Sequence, residues 1–371
     1  MRPRVLFAGG GTGGHLYPAL ALAQAFEERD GGAEVFFLGA RRGVEARVLP
    51  ERGVPHTLLP FEPIRRSRPW QNWRLFPALT KAGIGIRRTF QEFGPNLVVG
   101  TGGYASGPVV AWALLRRLPT AIQEQNSYPG ITTRLLAGRV QQIHLAFPEA
   151  LEHLRPGEET QVFELGNPIR PPDRSIDRRA ARAAFGLGSG TVALVVGGSQ
   201  GAKAINEALL RDLSGLVEAG RPSDGLEILW ATGPAHHAAV AAEVERLGVR
   251  DWVRAEPYIH DMPQALAAAD LAISRAGAMA LAELCAWGIP SILVPFPHAA
   301  ANHQFHNARA LAEAGAAVMI PEDELEPGRL WCELTTVAED PERRAALARR
   351  ALGRGHPEAA SEIVEKLATL V

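Results

Sequence analysis

The chain has 371 residues, 46% hydrophobic and 21% charged, with a formal net charge of −1. That length suits two domains rather than one. The neutral balance excludes a global attraction to nucleic acid or anionic lipid, so any basic surface is local.

Short apolar runs alternate with helical patterns along the chain. Residues 5–8 read as a buried strand, followed by Gly9-Gly10-Gly11-Thr12-Gly13-Gly14-His15 and a helix over 19–28. Residues 35–38 form the next strand. Residues 64–76 mix Arg65, Arg66 and Arg68 with Trp70 and Trp73, and Arg87 and Arg88 follow. The strand 97–99 runs into a second glycine loop, residues 100–108, which contains Gly102, Gly103, Tyr104 and Ser106 and precedes a helix over 108–117. Strands at 120–122 and 143–146 complete the first set. Residues 166–172, Gly-Asn-Pro-Ile-Arg-Pro-Pro, mark the boundary, because prolines exclude regular structure there. The second set is 192–196, 228–231, 252–255, 271–274, 292–294 and 318–320, with helical stretches between most of them. Strands separated by helices give parallel sheets with crossovers on both faces, hence an α/β fold. The expected division is 1–166, 167–355 and a C-terminal helix, 356–371, with Ile363, Leu367 and Leu370 on one face, packing back across the junction.

The glycine turns carry the first chemistry. Each follows a strand and opens a helix, which aims free backbone N–H groups at an anion, most often phosphate. Gly9-x-Gly11-x-x-Gly14 matches a dinucleotide fingerprint, but the second strand ends Leu38-Gly39-Ala40-Arg41-Arg42, without the acid that holds a ribose. Arg41 and Arg42 leave an NADP alternative, and a bare tight turn is the plainer reading. The loop at 100–108 supplies a second backbone nest in the same half, and two nests suit a diphosphate. His15, at the mouth of the first turn, is placed to take a proton from a hydroxyl or to neutralise phosphate.

In the second half, Gly197-Gly198-Ser199-Gln200-Gly201-Ala202 follows a strand, and Ser199 and Gln200 add side-chain donors. Glu283 sits one to two turns into an otherwise apolar helix. One carboxylate accepts from both vicinal ribose hydroxyls, so it reads as the ribose clamp, against the plainer reading of an exposed helix charge. His303, Gln304 and Asn307 follow the strand 292–294 on the same edge. No DxD or His/Cys cluster supports a metal, and Cys285 and Cys332 lack metal-ligand spacing, which fits a reducing cytoplasmic setting. The acidic run 322–326 reads as a solvated loop. Arginines beside exposed Trp suit an anionic bilayer surface. No run approaches the roughly 18 apolar residues of a membrane span, and the first is too short for a signal peptide.

Together these motifs resemble the MurG family, the bacterial transferases that make lipid II: GGTGGH ending at His15, GGYASGP from Gly102, EQN from Glu124, GNPIR from Gly166, GGSQGA from Gly197, the RAGAMALAE helix and PFPHAAANHQ from Pro295. The resemblance implies a GT-B fold, two Rossmann-like doubly wound domains facing across a cleft. It implies inverting transfer of GlcNAc from UDP-GlcNAc to the C4 hydroxyl of lipid I at the cytoplasmic face of the membrane, with no cofactor and no metal in the mechanism. It places Thr12, Gly13 and Gly14 on UDP-GlcNAc or on acceptor groups in the cleft, Asn126 on the sugar of UDP-GlcNAc, and Arg170 and Ser199 on the donor phosphates and neighbouring groups. Ile259 would read uracil through its backbone; Ala278, Met279, Ala280, Leu281, Ala282 and Glu283 would line the nucleotide; Gln304 would also bind the donor. Gly102, Gly103, Tyr104, Ser106 and Glu124 would border the acceptor, and the 65–73 region would meet anionic lipid. His15 is the expected base. Residues 276 and 280 are Ala where relatives often have Ser and Thr, which removes hydroxyl contacts. Gln123 stands where a His often precedes EQN. Alternatives are a nucleotide-sugar 2-epimerase, a glycosyltransferase with another lipid acceptor, and, in a different class, an NADP-dependent oxidoreductase or a non-catalytic nucleotide-binding module.

Overall fold

Val5 and Phe7 face one apolar cluster, and Leu6 and Ala8 the other, all fully buried. A strand apolar on both sides belongs in the middle of a parallel sheet covered by helices. The computed structural model describes residues 2–62, 75–219 and 225–371. They fall into two compact units, one made of residues 1–170 and 358–371, the other of 171–357.

The first unit runs β1 (Arg4–Gly9), α1 (Gly13–Glu28), β2 (Glu34–Ala40), α2 (Glu45–Glu51), β3 (His56–Leu59), α3 (Leu75–Phe93), β4 (Leu97–Gly102), α4 (Gly103–Leu115), β5 (Thr120–Glu124), α5 (Ile131–Leu136), β6 (Gln142–Leu145) and β7 (Gln161–Glu164). Its seven strands lie in the order β3-β2-β1-β4-β5-β6-β7, with parallel pairing throughout. Strand order reverses between β1 and β4, which opens a crevice at their carboxyl ends.

The second unit runs α6 (Arg178–Ala184), β8 (Thr191–Val196), α7 (Lys203–Glu218), β9 (Leu226–Ala231), α8 (His237–Arg246), β10 (Val253–Glu256), α9 (Met262–Ala268), β11 (Leu271–Ser274), α10 (Ala278–Trp287), β12 (Ser291–Leu293), α11 (His303–Glu313), β13 (Ala317–Met319), α12 (Arg329–Glu339) and α13 (Pro341–Leu352). Its six parallel strands take the order β10-β9-β8-β11-β12-β13, so the crevice falls between β8 and β11. Val192 and Leu194 face one core, and Ala193 and Val195 the other.

The last helix, α14 (Ala359–Leu367), returns to the first unit. Its Ile363, Val364 and Leu367 enter the core formed by Leu16, Leu20 and Ala23 of α1. Gln142 fastens it from β6, donating through Nε2 to the Lys366 carbonyl at 3.0 Å.

Three local expectations change. The loop read over 100–108 is mostly helix, because α4 starts at Gly103 and only the Gly102–Gly103 turn stays open. The edge strands β3 and β7 add to the sequence reading. The run 322–326 is not simply solvated: Glu322 is partly buried and ion-paired with Arg275.

Candidate functional site

In the first unit the turns after β1 and β4 pack against each other. A Cβ on Gly103 would lie 2.1 Å from the Gly10 carbonyl oxygen, and one on Gly102 would lie 2.7 Å from His15 Nδ1. Both residues hold φ between +78° and +94°. The glycine pair therefore seats the His15 ring at the crevice. Thr101 Oγ1 donates to the His15 carbonyl at 2.8 Å, which ties β4 to the first turn of α1.

His15 Nδ1 lies 2.9 Å from Gln125 Oε1, and the described residues give its Nε2 no partner. Thr12 is the N-cap of α1 with extended backbone and no side-chain cap. The backbone N–H groups of Gly13 and Gly14 fall in the first turn, where no intrahelical acceptor exists. Gly11 is different: its N–H donates to the carboxylate of Glu45 at 3.0 and 2.9 Å. Glu45, fully buried, also accepts from Ala40 N at 2.8 Å. Part of the first nest is thus filled by the protein's own acid. No local motif announces it, since the fold carries Glu45 back from α2.

The other acceptor-side residues divide. Tyr104 packs beside Gly11, and burial pushes its hydroxyl pKa upward, with the Glu45 charge adding to that. Ser106 does not face the crevice; it is buried under Gly100, where an added Cβ would meet its Oγ at 2.6 Å. Glu124 also turns inward. Its carboxylate accepts from Thr133 Oγ1 at 2.6 Å, Gly130 N at 3.1 Å and Asn126 N at 3.2 Å. It orders the loop that carries Asn126. Arg170, where the chain leaves this unit, is exposed.

The second unit holds a cavity of about 650 Å³ at its switch point. Ser199, Ile259, Ala280, Glu283 and Gln304 line it, beside Arg275. The turn after β8 is tight because Gly201 N donates to Gly198 O at 3.0 Å and Gly201 sits against the Thr232 carbonyl. The starts of α7 and α10 both open here, with N-caps Ala202 and Gly277. The helical period splits the run at 278–283. Gly277, Ala280 and Glu283 face the cavity, while Ala278 and Leu281 are buried in the opposite direction. Met279 and Ala282 do not line it. Burial raises the Glu283 pKa to about 7. Gln304 Oε1 accepts from Phe296 N at 3.0 Å, which leaves its NH₂ to donate. Arg275 donates to the carbonyls of Val294 and Pro295 and stacks on Phe296.

Arg65, Arg66, Arg68, Trp70 and Trp73 lie outside the described residues. Helix α4 packs against both α3 and α5, and the three helices expose Ile84, Leu115 and Leu135. No described helix is long and apolar enough to cross a membrane. Among the described residues, no group of three His, Cys, Asp or Glu side chains is arranged to hold a metal ion.

Residues 5–145 match the glycosyltransferase family 28 N-terminal domain, and residues 192–363 match the glycosyltransferase family 28 C-terminal domain. The two sheets are the two halves of that class of enzyme. A relative from Moorella thermoacetica is 42% identical over 98% of this chain and 97% of its own length. One from Carboxydothermus hydrogenoformans is 41% identical over 94% and 92%. Both are named UDP-N-acetylglucosamine--N-acetylmuramyl-(pentapeptide) pyrophosphoryl-undecaprenol N-acetylglucosamine transferase. The crystal structure of Acinetobacter baumannii MurG superposes with a TM-score of 0.79, at 27% identity and 100% coverage of both chains. The chain belongs to the MurG family within glycosyltransferase family 28.

Proposed function

We propose that the chain transfers GlcNAc from UDP-GlcNAc to the C4 hydroxyl of the MurNAc of undecaprenyl-pyrophosphoryl-MurNAc-pentapeptide, lipid I, and so makes lipid II. The observation that carries this reading is the cavity at the β8/β11 switch point, where the Glu283 carboxylate and two helix N-termini converge. UDP fits that chemistry. The N–H groups at the starts of α7 and α10 receive the diphosphate, helped by the Ser199 hydroxyl. The ionised Glu283 accepts from both ribose hydroxyls. Ile259, its side chain buried in the core, is left to read uracil through its backbone. Gln304 donates from its NH₂, and Arg170 serves the phosphates.

The acceptor sits at the β1/β4 crevice, with its diphosphate on the free N–H groups of Gly13 and Gly14 and the hydroxyl of Thr12. Gly102, Gly103 and Tyr104 border it, and Asn126 serves the GlcNAc of the donor. The C4 oxygen attacks the anomeric carbon from the face opposite UDP, His15 Nε2 takes its proton, and the bond to UDP breaks with the electron pair leaving on phosphate. Charge growing on that phosphate meets fixed dipoles. Loss of one such donor costs roughly 3 kcal/mol in the transition state. The lipid tail of the acceptor requires work at a membrane surface, read here as the cytoplasmic face, and the Arg/Trp composition of 65–73 with the apolar residues exposed on α3–α5 supports peripheral attachment.

The test is transfer of labelled GlcNAc to a lipid I analogue in the presence of EDTA. Labelled disaccharide-lipid and equimolar UDP are expected. Conversion of UDP-GlcNAc without acceptor would instead favour a 2-epimerase.

A further inference from the structure

We infer that Gln125 is a positioning residue: it fixes the single ring proton of His15 on Nδ1 and keeps Nε2 as the proton acceptor. The inference rests on His15 being the base in the reaction above.

Gln125 is buried, with Oε1 2.9 Å from His15 Nδ1. Its carboxamide has one orientation available. Nε2 donates to the Thr101 carbonyl at 2.9 Å and to the Gln123 carbonyl at 2.9 Å, and also contacts Gln123 Oε1. Turned over, it would set an oxygen against the carbonyl oxygens of Thr101 and Gln123. The amide is held in turn by its neighbours. Gln123 Nε2 donates to Asn167 Oδ1 at 3.1 Å, and Asn167 Nδ2 donates to the Gln125 carbonyl at 3.1 Å. Gln123, Gln125 and Asn167 thus close a buried ring of amides. That ring joins the end of β5 to the Gly166–Arg170 segment.

An acceptor facing Nδ1 requires hydrogen there, and a neutral imidazole then keeps its lone pair on Nε2. Nε2 is the nitrogen left without a partner among the described residues. An amide makes this choice without adding charge. It selects the tautomer but does not hold the ring protonated after the C4 proton has arrived. In the reaction that proton passes from the C4 oxygen to Nε2 as the new C–O bond forms and UDP departs.

The experiment reads tautomer and rate separately. Nitrogen-15 spectra of the full chain, with His15 assigned by its loss in His15→Asn, should show hydrogen on Nδ1. Gln125→Met should mix the tautomers and lower kcat at least tenfold, within the roughly 10²–10⁴ that a general base contributes, at unchanged KM for UDP-GlcNAc. Gln125→Glu restores an acceptor. It should keep the Nδ1 tautomer, recover part of kcat and move the pH–rate profile upward, since a carboxylate stabilises the protonated ring. Melting curves identify any variant that fails to fold, and Gln125→Glu then carries the test. Hydrogen on Nε2 in the unaltered protein, or a tautomer unmoved by Gln125→Met, overturns the inference. A mixed tautomer with full kcat overturns it too, if His15→Ala abolishes transfer. If His15→Ala transfers normally, the base reading fails instead, whatever the spectra show.

Discussion

Glu283 and His144 show how much of this chemistry is set side chain by side chain. Glu283 has its pKa raised to about 7 by burial. The folded protein therefore binds more protons than the unfolded chain between the ordinary value of 4.5 and 7. Its contribution is largest at low pH and is lost as pH rises through 7. Glu283→Gln should accordingly stabilise the unliganded protein at pH 8 by roughly 1–3 kcal/mol in denaturant melts. Calorimetry should show UDP binding more tightly as pH rises through 7 in the unaltered protein, because ribose hydroxyls donate better to an ionised carboxylate; the variant should bind weakly without that trend. His144 runs in the opposite sense. Buried and stacked on Phe163, it has its pKa pushed down to about 3. Its unfolded form takes up a proton below 6.5 that the folded form refuses. Stability should fall with pH through that window at up to about 1.4 kcal/mol per unit, and His144→Phe should remove that part of the slope. Glu283 was legible in the sequence as a lone acid in an apolar helix. Glu45 and Gln125 were not, because their partners Gly11 and His15 lie 34 and 110 positions away.

At the scale of elements, the central strands were readable because they are apolar on both faces; β11 is found at Leu271–Ser274, as expected. The edge strands β3 and β7 escaped for the complementary reason. Each is four residues long and only partly buried, so no apolar run marks it. The start of α4 escaped because Gly103, Ser106, Gly107 and Pro108 are poor helix formers. Packing decides there: Ala105, Ser106, Val109 and Val110 are buried against the sheet. Gly103→Ala sets a test of that turn. With φ at +78° and a methyl 2.1 Å from the Gly10 oxygen, it should displace both turns and sharply lower the melting temperature and transfer. Gly277, whose added Cβ meets nothing within 4 Å, should accept Ala with little change in melting temperature.

For the molecule as a whole, the chain leaves the first unit after Arg170 and re-enters it at Glu358. The proline-rich junction was visible in the sequence, and so was the apolar stripe of the last helix. Its seat on α1 is a property of the folded core. Ile363, Val364 and Leu367 are fully buried there, and burial of each such side chain contributes about 1.5–3 kcal/mol. Removing residues 358–371 should lower the calorimetric transition of the first unit and leave that of the second in place. On the function proposed above, backbone dipoles and the Glu283 carboxylate of the second unit grip a uridine nucleotide. A crystal structure of the protein with UDP tests it most directly. The expected map shows diphosphate at the starts of α7 and α10, ribose hydroxyls on Glu283 and uracil at the Ile259 backbone. Nucleotide bound instead at the Gly9–His15 turn, with the β8/β11 crevice empty, would contradict it.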